Sequence, residues 1–258
     1  MFRNRSILFA ILGLVFAIGV WLIPFLYPVD TSIDMLLEDH IVENWQFVFL
    51  FAAFACWLIA FIRARGNYQI GPWHTRRNLV YLGLTLLLFF GAGEEISWGQ
   101  RIIGFKTPSF MSNNEQGEFN VHNLSEFDSR NAENPFSIRR LFLYFLVVWG
   151  TVIPLCALLS RRMRAWFQSF GMPIVPLAMG IQFVLYYAMT KVYAPLGIYD
   201  SEVYHGLLPQ VRELQDALLL LFIAVDVMLA QRQPARVVDS VPASVPAQAS
   251  AIQADAAR

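Results

Sequence analysis

Charge is scarce in this chain. Asp, Glu, Lys and Arg make up 15% of its 258 residues, against about 25% in soluble globular domains. Formal net charge is zero, so nothing in the balance points to nucleic acid as a partner. Cysteine is scarcer still. Cys56 and Cys156 both fall inside apolar runs, which argues against a disulfide framework and reads as two buried, inert thiols. Several short signatures are also missing: G-x-x-x-x-G-K-[ST], H-E-x-x-H, C-x-x-C and G-x-S-x-G. ATP hydrolysis on a P-loop, a zincin site and an α/β-hydrolase are therefore unsupported.

What the chain has instead is hydrophobicity. Apolar residues make up 57% and mean hydropathy is +0.48. Near-continuous apolar runs alternate with polar loops, which predicts an all-α polytopic membrane bundle of about six transmembrane helices. The expected spans are 7–26, 45–62, 79–98, 141–159, 173–192 and 211–230, in a membrane domain covering 1–232. A cleaved signal peptide is the rival reading of the first run. The run is long, and Trp21–Tyr27 lacks a small-x-small cleavage site, so an uncleaved helix is the expectation. Ile33, Leu36, Leu37 and Ile41 fall at helical spacing in an acidic stretch without Lys or Arg, which predicts a short amphipathic helix on the membrane surface. Pro154 predicts a kink in the fourth span. Residues 105–138 read as a long outer polar loop. Residues 233–258, built from Ala, Pro, Val, Ser and Gln, cannot form a core and read as a disordered tail.

Basic residues set the expected orientation. With both termini cytoplasmic, the inner segments collect Arg3, Arg5, Arg63, Arg65, Arg76, Arg77, Arg161, Arg162, Arg164, Arg232 and Arg236, and most acids fall outside. Arg139 and Arg140, at the outer end of the fourth span, argue mildly against it.

The stretch Gly91-Ala-Gly-Glu-Glu-Ile-Ser-Trp-Gly-Gln-Arg-Ile-Ile-Gly104 organises the rest. The apolar run before it, Leu79 to Gly93, is shorter than the about 20 residues a spanning helix needs. A helix continued to Trp98 would carry Glu94 and Glu95 in its outer turns, where an ionisable group costs at least about 2.5 kcal/mol and usually faces a cavity or partner. On such a helix Glu94, Ser97, Trp98 and Arg101 share one face. That face either lines a cavity or is a helix end held by a Glu–Arg pair, with Trp98 in the interfacial aromatic belt. Gln100 belongs to the same polar end.

The sixth run, Ala217–Ala230, is also short, and extending it to Val211 draws in Arg212, Glu213 and Asp216. The expected topology thus gathers His40, His122, His205, Glu94, Glu95, Glu202, Glu213 and Asp216 on the outer side. It predicts a polar pocket there, walled by the third, fifth and sixth helices. Asn120-Val-His-Asn123 offers a histidine flanked by carboxamides, either a metal ligand or general base or a turn capped by Asn side chains. Glu202 with His205, and His40 with Glu43, have the spacing to share a helical face, or are solvated loop pairs. Lys191 either snorkels to the interface or pairs with Glu94 or Glu95. Arg212 and Glu213 read as an interfacial pair, Asp226 as an interfacial or helix-contact residue, and His74 as a residue of the basic inner side.

The combination E-E-I-S-W-G-Q-R-I-I-G at 94–104 with N-V-H-N at 120–123 resembles a family of uncharacterised bacterial multi-pass membrane proteins. That resemblance implies the bacterial cytoplasmic (inner) membrane and carries no established activity. A remoter likeness is to integral-membrane metal hydrolases of the alkaline ceramidase and adiponectin-receptor kind. This chain departs from them in its six expected spans and its lack of a late H-x-x-x-H.

Three functions follow as expectations. The first is an outward-facing metal-dependent hydrolase or transferase acting on a lipid or lipid-linked substrate. A divalent metal such as zinc would be held by His122, His205 and Glu94, and the other carboxylate would serve as base. Ser97 and Arg101 would complete the catalytic set. The second is a proton- or ion-coupled transporter using Glu94, Glu95, Lys191 and Glu213. The third is a non-catalytic partner that docks another membrane protein through loop 105–138.

Overall fold

A computed structural model describes residues 2–36, 41–114, 116–125, 137–196 and 201–231. Its elements are α1 (Phe2–Leu26), α2 (Val29–Leu36), α3 (Ile41–Arg63), β1 (Arg65–Ile70), β2 (Trp73–Arg77), α4 (Leu79–Glu95), α5 (Gln100–Ile103), α6 (Ile138–Val147), a π-helical turn (Val148–Val152), α7 (Ile153–Leu159), α8 (Arg161–Ser169), α9 (Leu177–Tyr193) and α10 (Ser201–Ala230). Among the described residues, three stretches are long and apolar enough to cross a membrane: Asn4–Leu26, Val42–Arg63 and Ile138–Leu159. A fourth results if Leu79–Glu95 and Ser97–Ile103, bent by 64°, count as one span. Their outward sides are apolar, with Ile11, Val15, Phe51 and Leu86 all exposed, as expected of helices that meet lipid.

Several sequence expectations are corrected. The fold is not purely helical: the segment 63–77 contains an antiparallel hairpin, Tyr68 opposite Thr75 and Ile70 opposite Trp73, turning at Gly71. Its Gly and Pro residues read as loop signals, and its alternation is too short to stand out. The expected loop from Tyr193 to Leu208 is helical from Ser201 onward, and α10 carries Pro209 inside it. The stretch Ile138–Leu159 stays helical through Pro154. Proline lacks an N–H and crowds the carbonyl four residues back, and the turn just before it widens to a π-helix over Val148–Val152. Cys56 and Cys156 are free but only partly buried. The amphipathic segment is helical over Val29–Leu36. Residues 37–40, 126–136 and 232–258 lie outside the described residues, and with them His40, part of the outer loop and the expected tail.

α3 forms the spine, packed on α4 and α10, while α1 packs on α10 and α9. The core centres on Trp57, Leu88, Leu146, Trp149, Phe183 and Leu219, with Ala53 and Ala60 letting the α3 backbone come close to its neighbours. α9 and the π-turn meet at Gly180 and Gly150. A Cβ on Gly180 would fall 1.5 Å from the Gly150 carbonyl oxygen, the close backbone approach that small residues permit between helices.

The two ends of the bundle differ in charge. At one end Arg5 donates to Asp226 Oδ1 at 2.7 Å, and Ser6 to its Oδ2 at 2.7 Å, joining the start of α1 to the end of α10. Asn78 accepts from Val80 and Tyr81 N–H as the cap of α4, and donates to Gly171 O at 2.8 Å beyond α8. The hairpin and α8, which carry Arg65, Arg76, Arg77, Arg161, Arg162 and Arg164, are neighbours there. Asn78→Ala removes the cap and the tether together. It is expected to cost about 1–2 kcal/mol, read as a lower melting temperature in detergent; an unchanged value would contradict the tether.

Candidate functional site

α4 stops at Glu95, not Trp98, because the backbone turns left-handed. Ser97, Trp98 and Gly99 have φ of 48°, 53° and 84°. Two of the three are not glycine, and each such residue stores strain of order 1–3 kcal/mol, typically retained at functional sites. The turn breaks the expected helical face of Glu94, Ser97, Trp98 and Arg101 and brings their side chains together by another route.

Trp98 folds back onto the helix it has just left. Its ring covers Gly93, where a Cβ would sit 2.9 Å away, and packs edge-on against Phe89 and Phe90. Its indole donates to Glu94 Oε1 at 2.7 Å. The other oxygen, Oε2, accepts from the backbone N–H of Val121 at 2.6 Å and of His122 at 2.9 Å. It also lies 3.2 Å from His122 Nδ1. The buried carboxylate at the end of α4 therefore fixes both the N-V-H-N turn and the imidazole in it.

Around this pair lies a hydrogen-bonded frame. Ser97 Oγ donates to Glu118 Oε2 at 2.5 Å, and Asn120 Nδ2 donates to the same oxygen at 2.8 Å. Arg101 donates to Glu118 Oε1 at 2.8 Å and also pairs with Glu43 of α3. Gln100 donates to Thr107 Oγ1 at 2.8 Å and accepts from Phe119 N–H at 2.5 Å. Asn114 Oδ1 accepts from the N–H groups of Gln116 and Glu118, both at 3.0 Å, and Asn123 donates to Gln116. Ser97, Trp98, Gln100, Arg101, Asn120 and Asn123 are thus the frame. Glu94, Glu95 and His122 face the cavity.

That cavity has a volume of about 420 Å³. Its walls are α3, α4, α6 and α10, with Leu50, Leu88, Phe90, Phe142, Phe145 and Leu220 among the apolar lining. The expected wall of third, fifth and sixth helices is corrected: α6 stands where α9 was expected, because α9 turns its glycine face to the π-turn and packs on α1. Lys191 goes with α9. It is exposed, lies 5.4 Å from the Tyr187 ring centroid and does not line the cavity, so neither Glu94 nor Glu95 is its partner. Phe90 of α4 and Leu141 of α6 line the cavity and are also 39% and 46% exposed at the surface.

Charged residues line the cavity opposite α4 as well. Arg212 reaches Glu213 at 3.1 Å and Asp216 at 3.6 Å, and Arg139 of α6 lies 3.7 Å from Glu213. Arg139, awkward for the expected topology, thus faces an acid across the cleft. Glu202 and His205 sit in the first turns of α10, with side chains outside the described residues. His74 is exposed on β2.

Among the described residues no three His, Cys, Asp or Glu side chains converge as a metal-ligand set. Glu94 and His122 do meet. Both Glu94 oxygens are already occupied by N–H donors, which suits an acceptor-only carboxylate and leaves it poorly placed to ligate a cation. The residue that sequence reasoning missed altogether is Glu118, the acceptor shared by Ser97, Arg101 and Asn120. Nothing distinguishes it from the other acids of its loop until the chain is folded.

The fold and site define a helical bundle suited to a membrane, with an apolar cavity rimmed by charge. No protein-family model matches the chain, nor does any curated protein or solved structure.

Proposed function

We propose that this is a multi-pass protein of the bacterial cytoplasmic membrane that admits a lipid or lipid-linked substrate into its cavity and hydrolyses it or transfers a group from it. His122 is the general base and Glu94 its positioning residue. The observation that carries this reading is the Glu94–His122 pair at the edge of an otherwise apolar cavity. A carboxylate on Nδ1 fixes the ring and its tautomer and leaves Nε2 as the proton acceptor. In the reaction, Nε2 takes the proton of an attacking water or hydroxyl as its oxygen bonds to the acyl or phosphoryl centre. It returns that proton to the leaving oxygen as the scissile bond breaks.

The topology that fits has six crossings, made by α1, α3, α4, α6 with α7, α9 and α10, and cytoplasmic termini. It is supported by the arginines of the hairpin and α8 gathered at one end of the bundle. The cavity then opens outward and sideways, towards lipid.

The test is turnover in nanodiscs made from a bacterial polar-lipid extract, followed by mass spectrometry. One lipid class should be consumed, and His122→Ala should slow its consumption by about 10²-fold or more. Equal turnover in the variant would remove His122 from the chemistry. A proton-coupled carrier is the second reading, favoured by the partly buried ion pairs of Arg139, Glu213, Arg212 and Asp216 in the wall. Proton flux in proteoliposomes without lipid turnover would select it.

A further inference from the structure

Two buried polar atoms of cavity-lining residues have no hydrogen-bond partner among the described residues: Arg212 Nε and Asp216 Oδ1. Both residues line the cavity, and Asp216 is only 3% exposed. They lie one turn apart on α10, with Arg212 Nε 3.6 Å from the other Asp216 oxygen, too long for a hydrogen bond. Arg212 spends a terminal nitrogen on Glu213 at 3.1 Å, so its Nε–H is left over. Buried polar atoms are rarely left unmade, least of all where lipid replaces water. An N–H donor and a carboxylate acceptor on adjacent turns of one helix point to a ligand group that can serve both.

We propose that Arg212 and Asp216 form the headgroup subsite of this cavity and that it selects an uncharged amphiphile with a free hydroxyl. This rests on the reading of the cavity as a lipid site. The hydroxyl donates to Asp216 Oδ1 and accepts from Arg212 Nε–H, and its chains leave between α4 and α6.

Three chemistries compete, and the orphan atoms separate them. An ammonium has donors only, so it satisfies Asp216 but sets a positive charge against Arg212. A phosphate or carboxylate head has acceptors only. It satisfies Arg212 but meets Asp216 and Glu213, in a cavity lined by four carboxylates, Glu94, Glu95, Glu213 and Asp216, against two guanidiniums, Arg139 and Arg212. A hydroxyl carries one donor and two lone pairs, serves both atoms and brings no charge to desolvate. The cavity of about 420 Å³ lies in the range of small-molecule sites, enough for a headgroup and the start of its chains.

The test is lipid retention by the full chain in phosphatidylcholine nanodiscs, read by native mass spectrometry. The probes are dioleoylglycerol, its O-methyl ether, dioleoyl phosphatidate and oleylamine. Dioleoylglycerol should be retained about tenfold over each of the other three, a ratio of about 1.4 kcal/mol. Asp216→Leu and Arg212→Met should each abolish that preference. Asp216→Asn, which keeps the shape and an acceptor oxygen, should keep part of it, a control against simple misfolding. Equal retention of alcohol and ether would overturn the proposal, as would an unchanged preference in Asp216→Leu or a preference for phosphatidate. If a resident water is all that occupies the atoms, the probes will not differ, and that too overturns it. A wild type that selects the alcohol yet turns over no lipid would sink the enzymatic reading while leaving the subsite standing.

Discussion

Glu94→Leu should detach the loop that follows α5 from the bundle. The carboxylate accepts from Trp98 Nε1, Val121 N and His122 N and contacts His122 Nδ1. No other described acceptor is recorded for those groups. Leucine fits the space but leaves the donors unmatched, and each buried donor without a partner costs about 1–3 kcal/mol. Water reaches part of the loop and recovers some of that, so a net loss of about 3 kcal/mol is expected. Glu94→Gln should lose less, because its one oxygen still serves either the indole or the turn. Hydrogen exchange in nanodiscs checks this locally. The Val121 and His122 amides should lose protection in Glu94→Leu, while the α3 amides around Trp57 keep theirs. Retained protection at 121 and 122 would mean that the Asn114, Gln100 and Glu118 contacts hold the turn without Glu94. The same variant should lose at least as much turnover as His122→Ala, since the imidazole is no longer oriented.

The apolar runs already announce α1, α3, α4 and the α6–α7 stretch, because burial in lipid requires long unbroken hydrophobic segments. The meeting of Glu94 with His122 was foreseeable in outline, since both fall on the same side of the expected topology. The route by which they meet was not. Gly99 is an ordinary host for positive φ, but Ser97 and Trp98 are not, and their turn is imposed by contacts formed afterwards: the indole on Gly93 and Glu94, the hydroxyl on Glu118. Neighbour relations between helices were equally hidden. A hydropathy pattern says that a helix is covered, not by what, so α9 was placed at the cavity and α6 was not. Arg212, Glu213 and Asp216 were visible as charges in a short sixth run, but that two of their atoms stay without a hydrogen bond is a property of packing alone.

The helix adjacency that the sequence concealed also carries the largest single-residue effect. Gly180→Ala should prevent the bundle from closing. The added methyl would lie 1.5 Å from Gly150 O and 2.4 Å from its carbonyl carbon. Both are backbone atoms, which no rotamer change can move. Relief requires α9 to retreat from the π-turn, which breaks the hydrogen bond from Thr151 Oγ1 to Gly180 O at 3.0 Å and opens the contacts of Phe183, fully buried against Gly150. Overpacking of a well-filled core costs about 1–3 kcal/mol when side chains can adjust, and here they cannot, so about 3 kcal/mol or more is expected. Gly19→Ala and Gly83→Ala are the controls: nothing lies within 4 Å of either added methyl, and alanine is the better helix former by about 0.5–1 kcal/mol. Detergent melting should therefore separate one glycine from the other two. A Gly180→Ala protein as stable as the Gly19→Ala control would mean that α9 and the π-turn do not touch as described. The consequence reaches the site, because the π-turn continues α6, which supplies Arg139, Phe142 and Phe145 to the cavity. Displacing α9 should shift α6 and reduce lipid retention together with stability. A change confined to stability, with retention intact, would separate the α9 contact from the cavity.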